Sequence, residues 1–166
     1  MKDDNKKEKI LILLKETLFS KYYLTEFVCK YQRRDRCLSI LIAIGTSSSI
    51  ATWTLWQDKF SPIWGFIVII AQVAVLVKSQ LPYARYIERM NEKYQNYNML
   101  SVDVEKLWYE YENGQIAEDV AESTFWELKR RCTMLNHFEN DVVFKPCNKV
   151  IKKAREHVDT YMTRYE

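Results

Sequence analysis

The chain has little of the two residues that most often interrupt helices. Its 166 residues include only three glycines and three prolines, the residues that the interior of a helix tolerates least. No glycine or proline occurs between Asn5 and Arg36. The sequence therefore predicts an all-α protein whose long helices are joined by few turns.

Residues that commonly bind metals or perform catalysis are also scarce. The only histidines, His137 and His157, lie 20 residues apart, and the four cysteines show no CxxC spacing. Zinc sites and disulfide frameworks usually require closer or more regular spacing. The sequence also lacks G-x-S-x-G, HExxH and a glycine-rich phosphate loop. We therefore expect no enzyme activity, no catalytic residue, no metal and no cofactor.

Charge is missing from two long stretches. Cys37–Gln57 is a run of 21 residues without Asp, Glu, Lys or Arg, and Phe60–Val77 is a second run of 18. As helices they would reach roughly 31 Å and 27 Å, close to the hydrocarbon core of a bilayer. Lipid cannot hydrogen-bond a backbone, so we predict an antiparallel transmembrane hairpin. The alternative is a helical hairpin buried in a soluble bundle, although a soluble helix normally keeps a polar face.

Basic residues beside these runs predict the orientation of the hairpin. Four precede the first run and four follow the second, whereas the turn at 58–59 has only Asp58 and Lys59. This bias places both termini in the cytoplasm. We expect a cytoplasmic helix over 1–36, transmembrane helices over 37–57 and 60–80, and a cytoplasmic helical domain over 81–166. The basic residues are Lys30, Arg33, Arg34, Arg36, Lys78, Arg85, Arg89 and Lys93.

The net charge of +3 is modest, and its placement is more informative than its size. The excess of basic residues lies next to the predicted membrane. This position suits anionic lipid head groups better than nucleic acid. We therefore expect the lipid bilayer, and no nucleic acid, among the partners of the chain.

The clearest periodicity follows the second run and alternates spacings of four and three. Such a heptad stripe is typical of a coiled-coil-like helix that packs in a core or at an oligomer interface. Ser101 is its one member that is neither apolar nor aromatic. We predict that the others form the interface of a homo-oligomer. They are Tyr83, Ile87, Met90, Tyr94, Tyr97, Val104, Trp108 and Tyr111.

Gly114 marks the end of this helix, because glycine readily adopts the left-handed conformation of a helix C-terminus. The following helix has a matching stripe that includes Phe125, Leu128 and Cys132. Two matched stripes across a short turn predict an antiparallel helical hairpin. A last helix, with Val150, Ala154 and Val158 on one face, would complete a cytoplasmic bundle.

Small and polar residues recur inside both predicted spans. In transmembrane helices such residues allow close approach or hydrogen bonds between helices. One interpretation is that they bind the two spans to each other. The other is that some of them line an aqueous path after several hairpins assemble, with Gln72 the preferred lining residue because a polar group at that depth is often functional. The residues of this seam are Gly45, Ser48, Ser49, Thr52, Gly65 and Gln72.

A basic and aromatic cluster is the only candidate for a small-ligand site. Trp126, Lys129, Arg130 and Arg131 could stack on the base and bind the phosphates of a nucleotide. The alternative is a solvated charged strip, which we favour because consecutive residues point to different faces of a helix.

The order of these parts resembles the SLATT family of bacterial two-transmembrane effector proteins, over residues 20–140. The likeness rests on a basic helix that enters a Ser/Thr-rich span ending Trp53-Thr54-Leu55-Trp56, on Trp64-Gly65 in the second span, and on residues 126–131 beyond a long helix. It implies a pore-forming effector of antiphage defence in the bacterial inner membrane, triggered by a nucleotide signal or a sensor protein. The alternative is a non-conducting membrane anchor or adaptor that docks a cytoplasmic partner.

Overall fold

A computed structural model describes residues 2–55, 61–80, 83–136 and 147–165. Within these ranges, the side chains of residues 2–4, 46–55, 61–65, 67, 68, 79, 80, 83 and 84 lie outside the description. The described residues form helices and contain no strand, which confirms the predicted all-α class.

Five helices account for most of the described residues. They are α1 (Lys2–Leu55), α2 (Ser61–Gln80), α3 (Tyr83–Glu112), α4 (Glu118–Asn136) and α5 (Asn148–Met162). The chain divides into two compact units. The four-helix unit comprises Met1–Val28 and Glu88–Glu166, and the hairpin unit comprises Cys29–Ile87.

The first helix is continuous over 54 residues. The absence of proline and of any glycine before Gly45 removes the usual causes of a break. The N-terminal helix therefore continues into the first charge-free run without a break. As a result, α1 contributes its first half to the four-helix unit and its second half to the hairpin unit.

Ion pairs show how the helices of the four-helix unit run. Lys6 Nζ lies 2.7 Å from Glu118 Oε1, and Lys129 Nζ lies 2.7 Å from Glu16 Oε2, so α1 and α4 are parallel. Lys153 Nζ lies 3.1 Å from Glu26 Oε2 near one end of α5. A longer pair between Lys15 and Asp159, at 3.9 Å, lies near the other end and makes α5 antiparallel to α1.

Large apolar side chains from all four helices fill the core of this unit. The fully buried members include Leu13 and Leu14 of α1, Val104 of α3 and Ala154 of α5. Two buried hydroxyls are satisfied within their own helices, because Thr17 donates to the carbonyl of Leu14 at 2.9 Å and Ser101 to that of Asn98 at 2.8 Å. Buried polar groups that keep a hydrogen bond avoid most of the desolvation penalty.

The connection from α3 to α4 is a Schellman motif. Gly114 has φ +63°, and its N–H donates to the carbonyl of Tyr111, while the N–H of Gln115 donates to that of Glu110. These two bonds satisfy carbonyls that the end of a helix would otherwise leave without partners. The predicted left-handed role of Gly114 is therefore confirmed.

A helix that crosses a bilayer must be both long and apolar. Within the described part of the chain, none has the length and apolar content that a membrane crossing needs.

Candidate functional site

The hairpin unit is the candidate functional site because its distribution of side chains is unusual. Among its described side chains the buried ones are small: Gly45 in α1, and Ala71 and Ala74 in α2. Small residues at a helix contact allow two backbones to approach closely. Gly45 is one of the small residues predicted to join the two spans, and its role there stays a prediction; the two alanines were not identified from the sequence.

Most of the large apolar side chains described in this unit are exposed. Phe66 is 68% exposed and Ile69 is 61% exposed, values normally found for charged residues. The exposed set is Ile40, Leu41, Ile44, Phe66, Ile69, Ile70, Val73, Val75, Leu76 and Val77. Large apolar side chains exposed in such number mark a contact with a membrane, a partner or another subunit.

A polar contact joins the last turns of α2 to the middle of α1. Lys78 Nζ lies 3.3 Å from Asp35 Oδ1 and donates to Ser39 Oγ at 2.5 Å. Asp35 and Ser39 are one helical turn apart on α1, so both can reach the same ammonium group. This contact fixes the register of α2 against α1 where the apolar surface ends.

Gln72 is exposed on the outer surface of α2. Its side chain therefore takes no part in the contact between α1 and α2, where the small residues are buried. Its neighbours on the exposed surface include Ile69, Leu76 and Val73. Of the other predicted seam residues, Gly45 is buried, and the side chains of Ser48, Ser49, Thr52 and Gly65 lie outside the described residues.

The heptad stripe of α3 lies mostly in the core of the four-helix unit. Met90, Tyr97, Ser101 and Val104 are buried, and Tyr94, Trp108 and Tyr111 are partly buried. Ile87, also partly buried, belongs to the hairpin unit, and the side chain of Tyr83 lies outside the described residues. The central part of the stripe is therefore occupied within one chain, and its role between subunits stays a prediction.

A second buried row on α3 was not anticipated. Leu100 and Leu107 are almost fully buried, and Leu107 shares a groove with Leu128 of α4. Trp108 lies instead against Tyr165, with ring centroids 6.1 Å apart in an edge-to-face arrangement. Helix α3 therefore buries two rows of side chains rather than one seam.

Tyr97 connects α3 with α4 through its hydroxyl group, which donates to Asn136 Oδ1 at 2.7 Å. Burial raises the pKa of Tyr97 to about 12, with a further contribution from the nearby Cys132. Burial likewise raises the pKa of the Cys132 thiol. Both groups therefore remain neutral at physiological pH.

Two tyrosines near the end of the chain share one carboxylate. The hydroxyls of Tyr161 and Tyr165 both donate to Glu105 Oε1 of α3, the first at 2.8 Å. Burial, followed by the hydrogen bond to Glu105, raises the pKa of both tyrosines. These hydrogen bonds and the ring contact between Trp108 and Tyr165 hold the end of α5 against α3.

The basic and aromatic residues of α4 do not converge on one site. Lys129 pairs with Glu16 of α1, and Arg131 pairs with Glu127 at 2.7 Å and with Asp103 at 3.6 Å. Trp126 is exposed, as is Arg130. Because two of the cations already have carboxylate partners and face different helices, the arrangement favours the solvated strip over a phosphate site.

Trp126 instead borders a small cavity at the start of α1. Its volume is about 50 Å³, well below the roughly 300–1,000 Å³ of most small-molecule pockets. Lys6 lies at its edge and donates to both Glu118 and Glu122, which raises the pKa of the lysine and lowers that of Glu122. The residues that line the cavity are Lys6, Lys9, Ile10, Tyr111, Ala121, Glu122, Phe125 and Trp126.

Among the residues that the structure describes, no group of three or more His, Cys, Asp or Glu side chains is arranged to hold a metal ion. His157 stacks on Tyr22 at 5.2 Å between centroids, and Cys29 and Cys37 are exposed on α1. His137 lies outside the described residues. Comparison of the chain with protein-family models, with curated proteins and with solved structures finds no match.

Proposed function

We propose that this chain is a membrane-embedded effector of a bacterial antiphage system. In this proposal, residues 37–57 and 60–80 form a transmembrane hairpin in the inner membrane, with both termini in the cytoplasm. When triggered, copies of the chain assemble and make the membrane permeable. The defence role and its location come from the resemblance to SLATT proteins, and the membrane role comes from the hairpin unit itself.

The observation that carries the proposal is the reversed distribution of apolar residues in the hairpin unit. Ala71 and Ala74 are buried, while Phe66, Ile69 and Leu76 are more than half exposed. In water, each exposed Å² of apolar surface costs about 25 cal/mol, whereas hydrocarbon chains remove that penalty. The charge-free runs of 21 and 18 residues include positions outside the described residues, and as continuous helices they would be close in length to the hydrocarbon core of a bilayer.

Assembly is proposed because a single hairpin cannot enclose an aqueous path. Gln72 is exposed among apolar neighbours, where contact with lipid would leave its amide without hydrogen-bond partners. Contact with the Gln72 of another copy, or with water in a path between copies, would satisfy it. This placement favours Gln72 as a residue of the contact between hairpins.

The trigger is proposed to be a nucleotide signal or a partner protein. The cavity beside Trp126 is too small for a nucleotide, so direct binding there would require α1 and α4 to separate. The pairs of Lys6 with Glu118 and Glu122 would have to break in that event. Release by a partner protein needs no such opening at this cavity.

Liposomes test the proposal. The purified full chain, reconstituted with its trigger or at high density, is expected to release an entrapped dye. The matched variant Gln72→Leu with Ser49→Ala should still insert and still crosslink as an oligomer, but release less dye. Full activity in cells whose membrane potential remains intact would contradict the effector proposal.

The second candidate function is a non-conducting anchor or adaptor. It is favoured by an open groove of about 410 Å³ between α1 and α5, bordered by Ile12, Phe19 and Arg155. The burial of Met90, Tyr97 and Val104 within one chain also leaves less of the heptad stripe for subunit contacts. An anchor would keep partner binding and phenotype in the Gln72→Leu, Ser49→Ala variant, whereas a pore would not.

A further inference from the structure

The outer face of α1 in the hairpin unit carries two kinds of exposed side chain in sequence. Arg33, Arg36, Ile40 and Ile44 are all exposed. Their spacings of three, four and four place them on one side of a helix with 3.6 residues per turn. The cationic part of this face therefore leads directly into its apolar part.

The opposite face of the same helix is occupied by α2. Asp35 and Ser39 reach Lys78, and Gly45 is buried. Helix α2 thus covers the side of α1 that carries Asp35. Arg33 and Arg36 are left on the uncovered side, pointing away from the contact between the two helices.

The charges of this unit do not neutralise the two arginines. Asp35 is the one carboxylate of the hairpin unit among its described residues, and it is paired with Lys78. Arg34 lies elsewhere on the helix, with its guanidinium 5.9 Å from the centroid of the Tyr31 ring. Within the described residues, neither Arg33 nor Arg36 has an ion-pair partner.

We propose that this face is a binding site for an anionic phospholipid. The guanidinium groups of Arg33 and Arg36 hold the phosphate, and Ile40 and Ile44 pack along the upper part of an acyl chain. Arg36 and Ile40 are one turn apart, a rise of about 6 Å, which matches the step from a lipid phosphate to its first acyl carbons. Guanidinium groups bind phosphate oxygens in a bidentate manner, so arginine suits this role well.

The proposal rests on the membrane role proposed above and names the lipid that the hairpin selects. A bilayer of phosphatidylcholine supplies the same apolar chains but no net negative charge. Preference for an anionic head group therefore separates the contribution of the basic side chains from that of the apolar ones. That contribution is expected to weaken as salt concentration rises, because partly exposed charges are screened.

The test uses the full chain in neutral detergent, titrated with dioleoylphosphatidylglycerol or dioleoylphosphatidylcholine in mixed micelles. We expect the anionic lipid to bind more tightly. Arg33→Gln with Arg36→Gln should reduce its affinity roughly thirtyfold, since each basic residue near an anionic surface contributes about 1 kcal/mol and tenfold in affinity is 1.4 kcal/mol. Arg33→Lys with Arg36→Lys should restore most of the loss.

Arg34→Gln is the matched control for the single variants Arg33→Gln and Arg36→Gln, because each removes one charge from the same helix but Arg34 lies on a different face. Affinity for the anionic lipid should fall about fivefold in each of those single variants and less than threefold in Arg34→Gln. An equal loss in Arg34→Gln and in the two single variants would overturn the site and indicate general attraction to charge. Equal affinity for the two lipids would overturn it as well. Glycerol 1-phosphate carries the phosphate of the lipid without its acyl chains. If it competes with the same affinity as the lipid, the acyl chains contribute nothing, and the proposed lipid site is overturned in favour of a phosphate site.

Extraction of membranes at alkaline pH separates this proposal from the one on which it rests. A chain that remains in the alkali-washed membrane but shows no preference for phosphatidylglycerol overturns the lipid site and leaves the hairpin proposal standing. A chain that alkali releases overturns both.

Discussion

The two units of the molecule bury opposite kinds of residue. In the four-helix unit, Leu13 and Leu14 are fully buried and charged residues pair across the exposed faces of the helices. In the hairpin unit, Ala71 and Ala74 are buried and larger residues such as Ile69 are exposed. The first pattern is that of a protein in water, and the second is the pattern expected of helices that pack in lipid. Helix α1 contributes to both.

The largest expected effect concerns the packed interior of the four-helix unit. Leu14→Ala removes a side chain that is 0% exposed, and such truncations cost about 2–5 kcal/mol through lost transfer energy and a residual cavity. Ile12→Ala on the same helix removes a side chain that is 49% exposed and should cost well under half as much. Thermal unfolding of both variants measures the difference. Equal losses would contradict the assignment of a conventional core.

A charge in the hairpin unit should have the next largest effect. Ile69→Asp places a carboxylate in the second charge-free run, where insertion of Asp at the centre of a helix costs about 3 kcal/mol. When membranes are extracted at alkaline pH, the variant should be released into the supernatant, whereas the unchanged protein should stay in the membrane. Met99→Asp in the four-helix unit is the matched control, because Met99 is exposed to nearly the same extent as Ile69. If Met99→Asp is released as readily as Ile69→Asp, the two units do not differ in this way.

Tyr97 provides a test of the four-helix unit by pH. Its pKa is raised to about 12 in the folded chain, compared with 10 for an ordinary tyrosine. Its contribution to stability is therefore complete below pH 10 and is lost as the pH rises to about 12, because the unfolded chain ionises first. We expect Tyr97→Phe to lower the melting temperature at neutral pH but to reduce its fall between pH 10 and 12. Parallel curves for the two proteins would contradict this role.

The smallest effect is expected at the polar contact of the hairpin unit. Lys78 and Asp35 are each about one-third exposed, so their pair should contribute at most about 1 kcal/mol. A double-mutant cycle with Asp35→Asn and Lys78→Gln, followed by thermal unfolding in detergent, measures the coupling directly. The helical pair of Lys106 with Glu110 provides a comparison within one helix. If the coupling energy of Lys78 with Asp35 is no larger than that of Lys106 with Glu110, the Lys78–Asp35 pair does not fix the register of α2 against α1.

Local features were readable from the sequence because their causes are local. The continuity of α1 follows from the absence of proline, and the end of α3 follows from the conformational freedom of Gly114. The burial of Val150, Ala154 and Val158 follows from their spacing on one helix. In each case, the residues that determine the structure lie within a few positions of it.

Features that depend on a neighbouring helix were not readable. The stripe of α3 was identified, but the second buried row of Leu100 and Leu107 depends on where α4 packs. Trp108 was identified as a member of the stripe, but its contact with Tyr165 beyond α5 depends on where the end of the chain packs. The pairing of Lys129 with Glu16 joins residues far apart in sequence, and no local pattern predicts it. Sequence periodicity identifies a buried face but not the element that covers it.

Labelling of two equally exposed positions tests most directly the proposal that water surrounds one unit and lipid the other. The variants Ile69→Cys and Met99→Cys are each made in a chain without its four native cysteines. Membrane fragments that contain either variant, with both faces accessible, are treated with a charged, water-soluble maleimide. A thiol reacts as its thiolate, which requires contact with water. We expect Met99→Cys to be labelled rapidly and Ile69→Cys to be labelled only after the protein is unfolded in denaturant. Equal labelling of the two positions before unfolding would contradict the claim.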